Sequence, residues 1–385
     1  MRWSGLCLVA SLLAGGRAHA DTAAVGDAEL TSLARSFTPA GLGSLVVFGR
    51  CTDYRWELPH HCPRVSKLRR AGATVLSATT GLVLRGVGSY LVGEKRTAKR
   101  LAIVGAIGLG GIAAGGAPVG VSGGYPPTMP LMPVLLVGAG AFFTSWWADI
   151  GVAAGASRIG EARAPSPWSL ELAMLYLSDP YRQTGLGRLA GSIEIERLQL
   201  GASALADAES ELRTGEIDAR VRIYGAPATG EVVSDGSRLI ARVGVRGHED
   251  DGDRVKITTG EVELIGRLDL YRLERALHGT FVQMSTGIGV ERVSYGGDHD
   301  NGSVLLGTFG WGLYLGNRGE LAVFYDHRRD SMVGGLAAGR AAGFVGSVGG
   351  SIDWMFDRHW ATHLEVDVGN AWLTTLALRY RGGVE

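Results

Sequence analysis

A histidine beside acidic residues is the closest approach to a catalytic arrangement in this sequence. The run Tyr325–Asp330 reads Y-D-H-R-R-D, with His327 directly after Asp326 and Ser331 just beyond the run. A histidine, a serine and a carboxylate can share base, nucleophile and orienting roles when the fold brings them together. The alternative is a charged turn between two strands. We favour the turn, in which Arg328 and Arg329 bind phosphate groups of lipid or face water.

Two cysteines near the amino terminus offer a second kind of chemistry. Cys51 and Cys62 are eleven positions apart, and His60 and His61 stand next to the second cysteine. In an exported chain such a pair predicts one disulfide that closes a small loop. A metal site is the other interpretation, but the paired or regularly spaced ligands that zinc sites use are not present. We therefore predict no metal and no cofactor.

A third pair of residues stands out because its charges fall inside hydrophobic segments. Arg85 and Asp149 lie within apolar stretches, and a charge in a spanning helix costs roughly 2.5–3.5 kcal/mol on insertion scales. Mutual pairing of Arg85 with Asp149 would lower this cost. The alternative is that the segments do not span, so that each charge lies near a membrane interface. The sequence leaves both interpretations open.

The elements that carry these charges are three hydrophobic segments, at Ala73–Gly93, Leu101–Val121 and Leu131–Ala156. Each approaches the roughly 20 residues that a membrane-spanning helix needs. The run Glu94–Arg100 reads as a charged turn between the first two segments. Residues 21–165 are therefore interpreted as a hydrophobic helical region with up to three membrane-type helices.

The amino terminus and the charge balance limit the compartment and the partners. Residues 1–20 have a positive start, an apolar core and the small-residue pattern Ala18-His19-Ala20, which predicts a secretory signal peptide. Lys and Arg total 38, as do Asp and Glu, and residues 166–385 are net acidic. Without a basic stripe in that half, we exclude nucleic acid as a partner.

Residues 166–385 change to a period of two. In Glu216–Tyr224 the apolar residues Ile217, Ala219, Val221 and Ile223 alternate with charged ones, and the last strands 361–368 and 371–380 repeat the pattern. Alternation of this kind, with glycines inside strands and aromatics near strand ends, is typical of membrane barrels. We count about ten to twelve strands, which predicts an antiparallel transmembrane β-barrel after the helical region.

Residues 168–381 resemble the Gly-rich outer-membrane β-barrel proteins of Gram-negative bacteria, through the Tyr325–Asp330 run, the glycines after it and the closing hairpin. The resemblance is one of architecture and implies an outer-membrane location, lipid or lipopolysaccharide as neighbours, and insertion by a barrel-assembly machinery. A lipid-modifying enzyme built on His327 is the third possibility that it raises, but the sequence shows no clear catalytic motif.

These observations predict a barrel with a structural, narrow-transport or interaction role. The rival is a polytopic inner-membrane protein whose β-rich half is a soluble binding domain. Three spanning helices after a cleaved signal would place residues 166–385 in the cytoplasm, where an outer-membrane barrel cannot form. For a barrel, therefore, two of the hydrophobic segments span a membrane or none does.

Overall fold

The computed structural model describes most of the chain after residue 64. The described ranges are 65–122, 126–155, 166–178, 183–208, 212–225, 236–251, 254–315, 318–327, 346–369 and 371–383. The predicted signal peptide, the cysteines Cys51 and Cys62, and Arg328 and Arg329 lie outside these ranges. Predictions for those residues stay predictions.

The described helical region contains two short and two long helices. Their bounds are α1 Lys67–Thr79, α2 Val87–Leu91, α3 Lys95–Val121 and α4 Met132–Ala154. Only α3 and α4 are long and apolar enough to cross a membrane among the described residues. The first predicted hydrophobic segment is therefore not one continuous helix. After α1 the chain forms a 3-10 turn at Thr80–Leu82, and Gly86, which is left-handed at a φ of 83°, directly precedes α2.

The helix boundaries correct one more expectation. The charged run Glu94–Arg100 is not a turn, because α3 begins at Lys95 and includes the run in its first turns. Helix α4 carries a proline in its first turn and ends just before Gly155, which is left-handed at a φ of 77°. Both are ordinary start and stop signals for a helix.

The carboxyl-terminal half is a closed barrel in which strands follow one another in antiparallel order and β1 pairs with β12. The first six strands are β1 Trp168–Ser178, β2 Gln183–Ile195, β3 Leu198–Asp207, β4 Leu212–Tyr224, β5 Arg238–Asp250 and β6 Val255–Asp269. The last six are β7 Thr280–Tyr295, β8 Asp298–Leu315, β9 Gly319–Asp326, β10 Ser347–Met355, β11 Trp360–Val368 and β12 Trp372–Gly382. The prediction of a barrel with ten to twelve strands after a helical region is confirmed, and the number is twelve.

The two ends of the barrel differ in what they connect to. At the end that we call the terminal end, β1 begins at Trp168 opposite Gly382 of β12. The link between β6 and β7 lies at this end and forms two 3-10 turns, Leu270–Arg272 and Arg275–Leu277. We call the opposite end, where β1 ends at Ser178 and β12 begins at Trp372, the hairpin end.

Helix α4 lies against the outside of the barrel. Phe143 of α4 stacks on Trp311 of β8 with ring centroids 5.7 Å apart. Trp147, Trp311 and Leu313 form a buried cluster with Ile150 and Leu321 packed against it. Trp311 and Leu313 point outward, so α4 covers the outer face of the barrel wall and does not enter the lumen.

Candidate functional site: the charged lumen of the barrel

The outer face of the barrel is apolar. Outward side chains on well-separated strands are largely exposed, among them Met174 at 75%, Ile217 at 71%, Ile288 at 66% and Leu305 at 63%. Water would penalise this much exposed apolar surface by about 25 cal/mol per Å². A hydrocarbon environment removes the penalty, so the outer wall has the composition of a lipid-facing surface.

Aromatic side chains flank this apolar band. At the terminal end, Trp168 and Trp360 pack against Tyr380 with ring centroids 5.3 and 5.0 Å from it. Near the hairpin end, Tyr176 and Trp372 are exposed on the outer face. Aromatic girdles at both membrane interfaces are typical of outer-membrane barrels. Some of the aromatics predicted at strand ends therefore lie in the girdles, whereas Trp311 packs against α4.

The inner face carries the charges that alternate with the apolar residues. At its centre, Arg242 of β5 is 5% exposed and pairs with Glu216 of β4. The same guanidinium is 2.9 Å from Glu261 and 3.3 Å from Glu263, both on β6. Several carboxylates around one buried cation keep that cation paired, as burial of a charge requires. Arg246 lies 3.3 Å from Glu216 and extends the cluster toward the hairpin end.

A second cluster joins β6 to β9 near the terminal end. Arg267 donates to both carboxylate oxygens of Glu320, at 2.9 and 3.0 Å, and also to Gln283 at 3.0 Å. Its guanidinium carbon lies 4.0 Å from the centroid of the Phe281 ring. A bidentate pair with a ring contact fixes the arginine in one orientation. This cluster therefore narrows the lumen at a defined place.

A third cluster closes the seam between the first and last strands. Glu171 of β1 accepts from Arg379 of β12 at 2.5 and 2.8 Å, and it also accepts from Arg188 of β2. Arg379 is 3.6 Å from Asp353, which in turn is 3.2 Å from His363. The charges of β1, β2, β10, β11 and β12 are thus linked on the inner face.

Apolar side chains fill part of the hairpin end. Leu175, Leu177, Leu186, Leu205 and Leu212 are buried inside the barrel in one cluster, with Ala371 and Leu373 beside them. The lumen is therefore charged toward the terminal end and centre and apolar on one side of the hairpin end.

The structure separates the residues of the first catalytic hypothesis. Asp326 ends β9 and pairs with Thr308 and Ser347, whose side chains face the lumen. His327 lies on the other face, where its Nδ1 is 3.1 Å from the Tyr325 hydroxyl. Neighbouring residues of an extended strand point to opposite faces, so Asp326 and His327 do not form a base and orienting pair. Ser331 lies outside the described residues.

Arg85 and Asp149, the charges predicted to pair inside the membrane, lie near one another without a direct hydrogen bond. Asp149 accepts from the Ser77 hydroxyl at 2.7 Å and from the Gly88 and Ser89 backbone at 3.0 and 2.8 Å. Arg85 donates to the Gly81 carbonyl and lies 3.9 Å from the Phe142 ring centroid. Arg85 and Asp149 are thus connected through the residues between them. The contribution of this pair to stability stays a prediction.

Sequence reasoning missed the residues that define the lumen. Arg242, Arg267 and Glu320 are separated in sequence by whole strands, so their partners depend on strand register. A partial signal exists in Glu216–Tyr224, whose alternating charges indicate a polar face. Among the described residues, no group of three or more His, Cys, Asp and Glu could hold a metal ion.

An apolar outer wall, aromatic girdles and a charged interior around twelve antiparallel strands define the architecture of the outer-membrane β-barrel proteins. No family model matches the sequence, and no curated protein matches it. Among solved structures, the chain is similar to the KdgM porin in complex with disordered oligogalacturonate, at 8% identity and a TM-score of 0.37, over 55% of this chain and 98% of that chain.

Two further solved structures are similar over a comparable share of the chain. The outer membrane protein Omp33 of Acinetobacter baumannii has 8% identity and a TM-score of 0.31, over 57% of this chain and all of that chain, at 100%. The translocator domain of autotransporter NalP from Neisseria meningitidis has 11% identity and a TM-score of 0.32, over 58% of this chain and 91% of that chain.

Proposed function

We propose that this chain is an outer-membrane β-barrel whose lumen passes ions and small solutes, without catalysis. The observation that carries the proposal is the opposition between the two faces of the wall. The outward residues are exposed and apolar, while the inward residues form ion pairs centred on Arg242 and Arg267. A soluble barrel would have the reverse arrangement, so the same observation argues against a soluble binding domain.

The width of the passage follows from the strand number and the side chains inside. About eight strands leave an interior that side chains fill, and sixteen or more leave an aqueous channel. Twelve strands stand between these cases. Here Arg267 reaches across from β6 to Glu320 on β9, and Arg222 of β4 pairs with Glu194 of β2 across β3. These contacts support a narrow passage over a wide pore.

The location and the partners belong to the same proposal. A closed barrel satisfies all of its backbone hydrogen bonds between strands, which is the condition for a β-protein to cross a bilayer. The predicted signal peptide at 1–20 supports export, and a barrel of this kind requires an assembly machinery for insertion. Membrane lipid is the neighbour of the outward face. Contact of Arg328 and Arg329 with lipopolysaccharide phosphates stays a prediction.

Conductance in planar bilayers tests the passage. We expect small, discrete steps in potassium chloride that fall sharply when larger ions replace chloride or potassium. Glu320→Ala releases Arg267 from its partner and should change the step size, whereas Asp251→Ala, at an exposed turn, should leave it unchanged. Steps as large as those of a wide porin would contradict a narrow passage. Absence of conductance from folded protein would contradict transport and leave a structural role.

A further inference from the structure

Among the described residues, one part of the outer barrel wall is covered by a helix. Over β8 and β9 the outward residues Trp311 and Leu313 are buried against α4, whereas Leu305 of the same strand β8 remains 63% exposed. Gly140 of α4 brings the helix so close that a methyl group there would lie 3.4 Å from the Phe309 ring. Helix α4 therefore packs directly on the surface that otherwise has a lipid-facing composition.

Helix α3 is held to α4 by contacts between glycines. A side chain on Gly111 would come within 2.8 Å of the Gly138 backbone, and one on Gly138 would come within 2.6 Å of Gly111. Small residues that let two backbones approach this closely are the usual interface of helices in membranes. We call α3 and α4 the helical hairpin. It forms one packed unit on the barrel wall.

The side of α3 that faces away from this interface is apolar and uncovered. Ile103 is 50% exposed and Ile107 67% exposed, one helical turn apart on the same side of the helix. Only 17% of the apolar 18-residue stretch of α3 is buried. A helix in water would place charged residues on such a face. The exposed face of α3 thus continues the exposed apolar face of the barrel.

The charges of the hairpin mark where it meets the membrane surface. The basic residues of α3 lie at its start, and Arg100 is 2.7 Å from Glu274 in the link between β6 and β7. That link lies at the terminal end of the barrel. At about 1.5 Å per residue, the 27 residues of α3 extend about 40 Å from this end, enough to cross a bilayer.

We propose that α3 and α4 cross the same bilayer as the barrel and that the exposed face of α3 contacts lipid acyl chains. This inference rests on the proposed function, because it needs the barrel to be in a membrane. Two crossings return the chain to the side from which it entered. Accordingly, Ala148 near the end of α4 packs with Leu101 near the start of α3 and with Leu270 in the β6–β7 link.

Lipid contact can be measured with an environment-sensitive fluorophore. The full chain with Cys7→Ser, Cys51→Ser and Cys62→Ser receives one cysteine, Ile107→Cys, which is labelled with nitrobenzoxadiazole and reconstituted into phosphatidylcholine vesicles. The vesicles contain a lipid with a nitroxide at carbon 12 of its acyl chain, or lack it. Ile107 lies about 18 Å along α3, near the middle of a bilayer. Leu305→Cys on the barrel wall is the lipid-facing reference, and Asp251→Cys at a turn is the water-facing reference.

The references separate failure of this inference from failure of the proposed function. We expect the nitroxide lipid to quench the label at Ile107 as strongly as the label at Leu305 and to leave the fluorescence intensity of the label at Asp251 unchanged. Quenching at Leu305 without quenching at Ile107 would overturn the inference and keep the barrel in the membrane. No quenching at Leu305 would overturn both. Ile103→Cys repeats the measurement on the same helix face if Ile107→Cys does not fold.

Discussion

The guanidinium of Arg267 on β6 donates two hydrogen bonds to the carboxylate of Glu320 on β9, at 2.9 and 3.0 Å. Strands β7 and β8 lie between them in the sheet, so the contact passes over the inner face of these two strands. Tyr314 completes the arrangement by donating to Asp269 at 2.6 Å. The terminal end of the lumen is therefore shaped by side chains as much as by strands.

Removal of one partner of this pair should destabilise the barrel. Arg267→Ala leaves the Glu320 carboxylate without its bidentate partner in a largely buried position, at a cost of about 3 kcal/mol. The free energy of unfolding in urea, measured in lipid vesicles by tryptophan fluorescence, reports this loss. A matched double variant, Arg267→Met with Glu320→Leu, should recover part of it, because Arg267 and Glu320 are removed together and only the weaker interaction of Glu320 with Arg238 is lost as well. Equal loss in both variants would contradict the assignment.

Close packing of the helical hairpin should depend on particular glycines. A side chain on Gly108 would come within 2.8 Å of the Gly138 carbonyl oxygen, whereas one on Gly110 would meet nothing within 4 Å. Gly108→Leu should therefore separate α3 from α4 and increase hydrogen exchange in residues 101–122, measured by mass spectrometry. Gly110→Leu should leave exchange unchanged or lower it, since leucine favours helix by about 1 kcal/mol over glycine. Similar exchange in the two variants would refute the interface.

The buried carboxylate of Asp149 should hold α1 and α2 against α4. It is fully buried and accepts from Ser77 and from the backbone and hydroxyl of Ser89. Asp149→Ala leaves these donors without an acceptor and should cost at least about 3 kcal/mol of local stability. Trypsin should then cleave after Arg85 faster, while the barrel stays folded. Asp251→Ala serves as a control at an exposed position, and unchanged cleavage in Asp149→Ala would argue against the role.

The turn between β10 and β11 should give the barrel an acid-sensitive contribution. Hydrogen bonds from the Trp360 and His359 backbone, both 2.7 Å long, lower the pKa of Asp357 below its ordinary value of 3.8. A lowered folded-state pKa adds stability above that ordinary value, and this stability is lost as the pH falls through the folded pKa. The unfolding temperature of Asp357→Asn should lie below that of the wild type at pH 7, and the difference should vanish in strong acid. A difference that persists there would exclude this cause.

The strands were predictable because one face of each strand meets a different environment from the other. Alternation in Glu216–Tyr224 reports that difference directly, and β4 covers the predicted segment. The barrel itself followed from the number of such segments and from glycines and aromatics near their ends. Ion-pair partners such as Arg242 and Glu261 could not be found in this way, because their contact depends on register between β5 and β6.

The helical region was predicted less well, for a physical reason. Hydropathy reports how apolar a segment is, but the break between α1 and α2 depends on backbone angles at Gly86. Likewise, Trp311 reads as an interface aromatic in the sequence, yet it stacks on Phe143 because a helix covers that part of the wall. The docking surface of α4 looks the same as a lipid-facing surface in sequence, since both are apolar.

Membrane fractionation, followed by gel migration with and without boiling, tests the central claim most directly. The account predicts that the protein is found in the outer-membrane fraction and that the unboiled form migrates differently from the boiled form, as a folded barrel resists detergent. An inner-membrane location with no change in migration would contradict it. In that case the helical hairpin would be the membrane anchor, and residues 166–385 would have to be a soluble domain.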